Sequence, residues 1–485
     1  MKRLSGGKNW AILGGFALLA LVYLIPIPES LCTIRGAILE TQGRISLAVL
    51  AFALVLWITE ALPFHITGLA AILMLALLGG GSYTDIIRAG FGDDVIIFFI
   101  GVLVLAACLG RSGLAKRFSL LVLSLTGNST RAIIFGFLAA GAFLSMWITA
   151  LASSAMLMPL ALGILQDEGE KPGESRFGKA LMIAVAWGAL LGALGTPAGS
   201  GSNPIAVRFL SEIAGYNIGF LDWMAFGIPT LLILLPLAWL VIILFFPPEH
   251  ARLTRGREEL RGEFSSQKPF SRQEIATGVI FALTILFWIL SPALGKILGF
   301  KIPISMGALL AVVLLFLPGS AGFAWKEIQK DIDWAGILLI ATGICLGMSL
   351  YKSGAAAWVS AAVLGGIGSL TPFWRLVAVV LGVFIIKVVF SSNTLTGTII
   401  VPLVLALGTS LSIDARLLAL AAAFAANLAV ILVTTSPVNV LPYTTGYFTI
   451  KDMAKAGLVL AFAAAFTIAS VFSLLGPIFG PTAGP

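Results

Sequence analysis

The sequence predicts an all-α polytopic membrane protein with an inverted repeat, about 11 transmembrane helices and two re-entrant hairpins. Three observations carry that prediction. Hydrophobic residues fill 59% of the 485 positions, charged residues only 11%, and mean hydropathy is +1.05. Several apolar runs approach the roughly 20 residues that a bilayer crossing takes. Second, Ser391-Ser392-Asn393-Thr394 interrupt one such run, between FIIKVVF and LTGTIIVPLVLALG. Lipid offers these side chains no partner, so protein, ion or ligand must satisfy them. Third, one constant separation takes Ser392 back to Thr149 and Pro402 back to Pro159. The chain reads as duplicated, and the duplication passes through the polar element.

Spans are expected near 10–27, 46–60, 63–80, 95–111, 181–212 and 222–246 in the first half. The second half supplies 275–292, 303–318, 333–350, 416–444 and 454–478. The stretches 120–165 and 360–412 are too long for one crossing, and each is broken by polar residues. Hairpins that enter and leave on one side explain both. The N-terminal run follows Lys2, Arg3 and Lys8 as a signal peptide would. No small-residue cleavage site follows, so it is read as a first membrane helix. The expected organisation is an N-terminal helix and loop (1–45), a first repeat (46–247), a cytoplasmic linker (248–274) and a second repeat (275–480). Each repeat has three spans before its hairpin and two after. That odd number turns the halves in opposite orientations, the pattern of secondary transporters whose site lies between repeats.

The net charge of +8 follows membrane topology rather than a nucleic-acid surface. Lys2, Arg3, Lys8, Arg111, Lys116 and Arg117 fall on one side. Loop 247–274 joins them with Arg252, Arg255, Arg257, Arg261, Lys268 and Arg272, as do Lys451 and Lys455. Loops 81–94 and 214–221, on the other side, are acidic or nearly uncharged. Arg35, Arg44, Lys301 and Lys352 run against the trend, but the balance puts the N-terminus in the cytoplasm. A bacterial inner (cytoplasmic) membrane is the expected location. Cys32, Cys108 and Cys345 lie far apart and His65 and His250 are isolated, so neither a disulfide framework nor a transition-metal site is expected. Paired carboxylates and nucleophile–base pairs are absent from the apolar runs, which disfavours an intramembrane enzyme. A channel is also disfavoured, because paired broken elements suit alternating access.

The repeat recurs elsewhere. Arg111-Ser112-Gly113 returns as Lys352-Ser353-Gly354, and Gly199-Ser200-Gly201-Ser202-Asn203 corresponds to Thr435-Ser436-Pro437-Val438-Asn439. Half-helix N-termini offer unpaired N–H groups to an anion, and Ser, Thr and Asn add neutral donors. Exposed carbonyls at the same breaks suit a hard cation such as Na+. On these grounds Asn393, Thr394, Ser200 and Asn203 are assigned to the cavity. Lys387 lies five residues before Ser392 among apolar neighbours, where an ionisable group is a functional candidate. It is the candidate fixed positive charge that replaces a coupling ion and makes transport exchange-like or proton-linked. Glu60 is expected to cap a helix end, Asp93 and Asp94 to lie in a solvated loop, and Trp223 and Tyr447 to anchor at the interface.

The chain resembles the divalent anion:sodium symporter family of dicarboxylate, citrate and sulfate carriers. The matching residues are Trp57-Ile58-Thr59-Glu60-Ala61-Leu62-Pro63, Ser145-Met146-Trp147, Ser392-Asn393-Thr394 and the two breaks, Gly199 to Asn203 and Ser436 to Asn439. The resemblance implies elevator-type movement, a homodimer, and hairpin tips that hold substrate carboxylates and two sodium ions. Carried onto this sequence, the substrate-binding residues are Thr149, Ser200, Asn203, Ser392, Asn393, Thr394, Ser436 and Asn439. The cation-binding residues are Ser145, Thr149, Gly199, Ser391, Asn393 and Thr435. The first tip departs from the family, reading Thr149-Ala150-Leu151 where Ser-Asn-Thr is usual. The implied function is secondary transport of a small divalent anion, with a C4-type dicarboxylate first and sulfate, sulfonate or arsenite as alternatives. No cofactor is expected beyond Na+ as the candidate coupling ion. The expected partners are the small anion, the lipid bilayer and a second copy of the chain, with no nucleic acid.

Overall fold

The apolar runs fold as helices because a helix alone satisfies its backbone within one segment, which hydrocarbon demands. The computed structural model describes residues 2–25, 28, 32–125, 127–253, 269–300, 302–411 and 413–479, with backbone alone at 2–6, 409, 410 and 479. Most of the expected linker, including Arg255, Arg257, Arg261 and Lys268, lies outside these residues, as do Lys301 and the side chains of Lys2 and Arg3.

The chain opens with α1 (Lys2–Leu24), a two-residue hairpin of β1 (Thr33–Ile34) and β2 (Ala37–Ile38), then α2 (Thr41–Thr59) and α3 (Phe64–Leu77). Next come α4 (Tyr83–Phe91), α5 (Asp94–Ser112), α6 (Leu114–Ser124), α7 (Thr130–Ser145) and α8 (Ala150–Asp167). The first half ends with α9 (Arg176–Gly192), α10 (Ser202–Ala214) and α11 (Phe220–Phe245). The second half runs through α12 (Arg272–Leu298), α13 (Ile304–Phe316), the short α14 (Trp325–Ile328), α15 (Trp334–Lys352) and α16 (Ala355–Leu364). It closes with α17 (Pro372–Lys387), α18 (Asn393–Leu411), α19 (Arg416–Asn427), α20 (Pro437–Tyr443) and α21 (Ile450–Phe479). Among the described residues, eight helical stretches are long and apolar enough to cross a membrane.

Three departures from the expected spans have physical causes. The runs 181–212 and 416–444 are not continuous helices; irregular backbone separates α9 from α10, at the glycines and proline of 192–201, and α19 from α20, at the Thr434-Thr435-Ser436-Pro437 stretch. The expected loop 81–94 is mostly α4. Its inward face meets α15 so closely that a Cβ on Gly90 would sit 2.1 Å from the Ala341 carbonyl oxygen. The third departure is a pair of helices, α6 and α16, that follow Gly113 and Gly354. Both glycines have positive φ, 91° and 76°, which lets the chain turn out of one helix straight into the next.

The buried centre is built on α9 and α19. Every residue of α9 from Phe177 to Gly192 except Lys179 is buried, and α19 is buried from Leu418 to Asn427. Helix α7 packs on α9 and α17 packs on α19. The first contact is close because Gly188 and Gly192 face Leu138 and Ala142. A Cβ on Gly192 would fall 2.1 Å from the Ala142 carbonyl oxygen. This is the small-residue packing that membrane helices use without a hydrophobic driving force between them. Each hairpin crosses to the other half: α8 packs on α20, and α18 packs on α10.

Candidate functional site

Interrupting a buried helix orphans its terminal carbonyls, and each break carries an asparagine that meets this need. Asn203 Nδ2 donates to the carbonyls of Ala193 (2.8 Å) and Thr196 (2.9 Å). Asn439 Nδ2 donates to those of Ala429 (2.6 Å) and Leu432 (3.2 Å). The two asparagines reach back by identical sequence distances, ten and seven residues. An unsatisfied buried acceptor costs about 1–3 kcal/mol, so both residues act first as staples of irregular backbone.

A continuous polar chain runs from the second hairpin tip to the first break. The Lys387 ammonium, 2% exposed, donates to Asn393 Oδ1 at 2.5 Å. Asn393 Nδ2 donates to the Asn427 carbonyl at 3.3 Å. Asn427 Nδ2 donates to Asn203 Oδ1 at 2.7 Å, while Asn427 Oδ1 accepts from Ser202 Oγ at 2.6 Å. Ser202 Oγ is in turn 3.1 Å from Ser200 Oγ. Thr394 stands against the same break, since a Cβ on Gly201 would lie 2.7 Å from Thr394 Oγ1. Asn393, Thr394, Ser200 and Asn203 are thus brought together. Ser392 caps α18 by accepting from the Leu395 N–H at 3.3 Å. Ser391 donates to Glu60 Oε1 at 2.8 Å. No carboxylate pairs with Lys387 among the described residues.

The first tip lies against the same break from the other side, where Thr196 Oγ1 donates to the Met146 carbonyl at 2.5 Å. Thr149 caps α8 through the Ala152 N–H at 3.3 Å. Ser154 donates to the Val438 carbonyl at 3.3 Å and so ties this hairpin to the second break. There Ser436 caps α20 through the Val438 N–H at 3.3 Å, and Thr435 Oγ1 donates to the Leu432 carbonyl at 2.6 Å. Gly199 is buried in the first break, donating its N–H to the Thr196 carbonyl at 3.2 Å. Two buried oxygens near these elements, Ser145 Oγ and Asn439 Oδ1, have no hydrogen-bond partner. Lys387 and Thr435 border a small cavity of about 10 Å³.

Asn427 escaped the sequence reading because its repeat position holds Leu191, so duplication gave it no echo. The available signal was a lone amide closing an alanine-rich buried helix. Glu60 does cap a helix end: it follows α2 with φ 49°, and its N–H bonds the Trp57 carbonyl. Its carboxylate also reaches Ser391. Asp93 is not solvated but 5% exposed, paired with Arg208 on α10 and accepting from the Val95 N–H at 3.0 Å. Trp223 and Tyr447 are buried in the core rather than placed at an interface. The Trp223 indole N–H donates to the Leu194 carbonyl (2.9 Å) and the Tyr447 hydroxyl to that of Glu170 (3.0 Å).

A family model described as the sodium:sulfate symporter transmembrane region matches residues 7–480. The sodium-dependent dicarboxylate transporter SdcS of Staphylococcus saprophyticus is 29% identical over 462 residues, covering 91% of this chain and 88% of that protein. An uncharacterized transporter of Haemophilus influenzae is 31% identical over 443 residues, covering 89% and 92%. Among solved structures, the YdaH transporter of Alcanivorax borkumensis aligns with a TM-score of 0.52 at 17% identity, covering 83% of this chain and 89% of that one. That last likeness concerns the fold alone.

Proposed function

The chain belongs to the sodium:sulfate symporter family, and on that premise we propose that it carries a small divalent anion, a C4-type dicarboxylate first, by cation-coupled symport or exchange. It is a multi-pass membrane transporter and not an enzyme. The observation that carries the substrate reading is the buried polar chain from Lys387 through Asn393 and Asn427 to Ser202 and Ser200. It places neutral donors, with one ammonium behind them, where two interrupted helices meet. Neutral donors in a low-dielectric site hold an anion without making its release too costly. Asn203 has both amide hydrogens committed to carbonyls, so its part is to shape the break. Asn439 is committed in the same way, so the ligand's own contacts fall to Ser200, Ser392, Asn393, Thr394 and the adjoining N–H groups, with Thr149 and Ser436 on the side of the first tip. Cations are assigned to Ser145, Thr149 and Gly199, and to Ser391, Asn393 and Thr435. In the second set Lys387 already donates to the Asn393 oxygen that a cation would use. Its charge therefore replaces one coupling ion.

The halves are read as inverted repeats and the chain as a homodimer; the location is read as a bacterial inner membrane with the N-terminus in the cytoplasm, which charge placement and the bacterial relatives support. The second substrate reading, a compact oxyanion such as sulfate, a sulfonate or arsenite, is favoured by the loss of an amide and a hydroxyl at Ala150 and Leu151. Purified protein reconstituted in vesicles and offered labelled succinate and sulfate separately, with and without a sodium gradient, decides between them. Saturable succinate uptake that sulfate does not inhibit supports the first reading. Uptake of sulfate alone supports the second, and uptake of neither ends both.

A further inference from the structure

Asn427 is fully buried and touches three elements at once. Its Nδ2 donates to Asn203 Oδ1 (2.7 Å) and to the Ala423 carbonyl within its own helix (3.2 Å). Its Oδ1 accepts from Ser202 Oγ (2.6 Å), and its backbone carbonyl accepts from Asn393 Nδ2 (3.3 Å). Both hydrogens and the oxygen of its amide are engaged, so it has nothing left to offer a ligand directly. What it fixes is the relation between neighbours: Ser202 and Asn203 at the start of α10 on one side, and Asn393 at the start of α18 on the other.

The other half provides an internal control. The repeat positions of Asn393 and Asn427 are Ala150 and Leu191, and there the corresponding staple, Asn439, keeps both amide donations but has an unpartnered buried oxygen. Asn203 differs only in that Asn427 satisfies it. The staple therefore closes its break without this partner, so Asn427 is not needed to form the break itself. Its added contribution is the link across to the second tip.

Resting on the transport reading above, we propose that Asn427 is a positioning residue for anion binding. It holds the Asn393 amide and the Ser200–Ser202 hydroxyls at a separation that lets one anion meet both. Such a role predicts a loss of apparent affinity, whereas a purely structural one predicts a loss of folded protein. The test uses the full chain in vesicles and whichever of succinate or sulfate the wild type takes up. Asn427→Leu installs the residue found at the repeat position; Asn427→Asp keeps size and the acceptor for Ser202 but removes the donor to Asn203. We expect KM to rise about tenfold in both, with maximal rate per folded molecule within about twofold of wild type. Ser202→Ala, which removes one link only, raises KM by a smaller factor. Size-exclusion profiles and ligand-free melting temperatures count the folded fraction, so a poorly folding Asn427→Leu leaves Asn427→Asp as the reading. An unchanged KM in folded variants overturns the assignment while leaving transport intact. A wild type that moves neither anion overturns both.

Discussion

An ammonium sealed among Phe384, Leu428 and Ile431, donating to the amide oxygen of Asn393, is costly to bury, and such residues are found where they do work. If the Lys387 charge replaces a coupling ion, Lys387→Met removes a cation that no external ion is yet required to supply. Uptake without sodium should then fall at least about tenfold and recover in part as sodium is added. Wild-type uptake with strict sodium dependence and more than one ion per substrate would exclude the replacement. The staple Asn203 is tested separately. Asn203→Ala strands the Ala193 and Thr196 carbonyls, each worth about 1–3 kcal/mol, so the melting temperature should fall clearly and more than for Ser200→Ala. A variant that melts with wild type would show that water or backbone relaxation satisfies those carbonyls instead. Asn393, Thr394, Ser200 and Asn203 were legible in the sequence because small polar residues in an apolar run stand out. Asn427 and the Asp93–Arg208 pair were not, because such partners meet only through tertiary contact and follow no local period.

Helices were the most legible elements, since each long apolar run had one way to satisfy its backbone. Their interruptions were readable as a glycine-rich stretch in the first half and a Thr-Thr-Ser-Pro stretch in the second, but the exact ends depend on contacts that no window of sequence contains. Gly192 illustrates this. Its neighbour across the interface is Ala142 backbone, which cannot yield as a side chain could. Gly192→Val should therefore force α7 and α9 apart and reduce the yield of folded protein, while Gly110→Val, with open space around it, should not. Equal yields of the two variants would contradict the packing. Outside the membrane, Glu249 accepts the backbone N–H groups of Arg176 (2.6 Å) and Phe177 (3.0 Å) at the start of α9. Burial pushes its carboxyl up, but these hydrogen bonds and Arg176 outweigh that and hold it below the ordinary value of 4.5. Because the folded form has the lower pKa, the stabilisation is complete above about pH 4.5 and fades as pH falls through the folded value. Glu249→Gln should flatten that acid limb of the melting profile, and an unchanged profile would remove Glu249 from the account.

At the scale of the molecule the contacts sort into two groups of helices. One gathers α7 to α11 and α17 to α21, in which each hairpin packs on the opposite break; the other gathers α2 to α5, α12, α13 and α15, and the two meet most broadly where α15 packs on α18. Few polar links join the groups, and two stand out: Arg208 on α10 with Asp93 at the head of α5, and Ser391 at the second tip with Glu60. Asp93 is buried and Arg208 only partly so, and parting them leaves the Asp93 carboxylate without its counter-charge, so the pair biases the molecule toward this arrangement. The proposed transport cycle moves one group against the other, and the pair must then come apart in every turnover. That requirement can be tested without knowing the substrate's path. In a chain with Cys32, Cys108 and Cys345 replaced, Asp93→Cys and Arg208→Cys would be bridged by a short bis-methanethiosulfonate, which forms a reducible disulfide with each thiol. If the groups move, the bridged protein loses nearly all uptake and regains it on reduction, while either single cysteine variant treated alike keeps its rate. Full uptake by the bridged protein would mean that α5 and α10 stay together throughout the cycle, and transport would have to proceed by local gating at the hairpin tips.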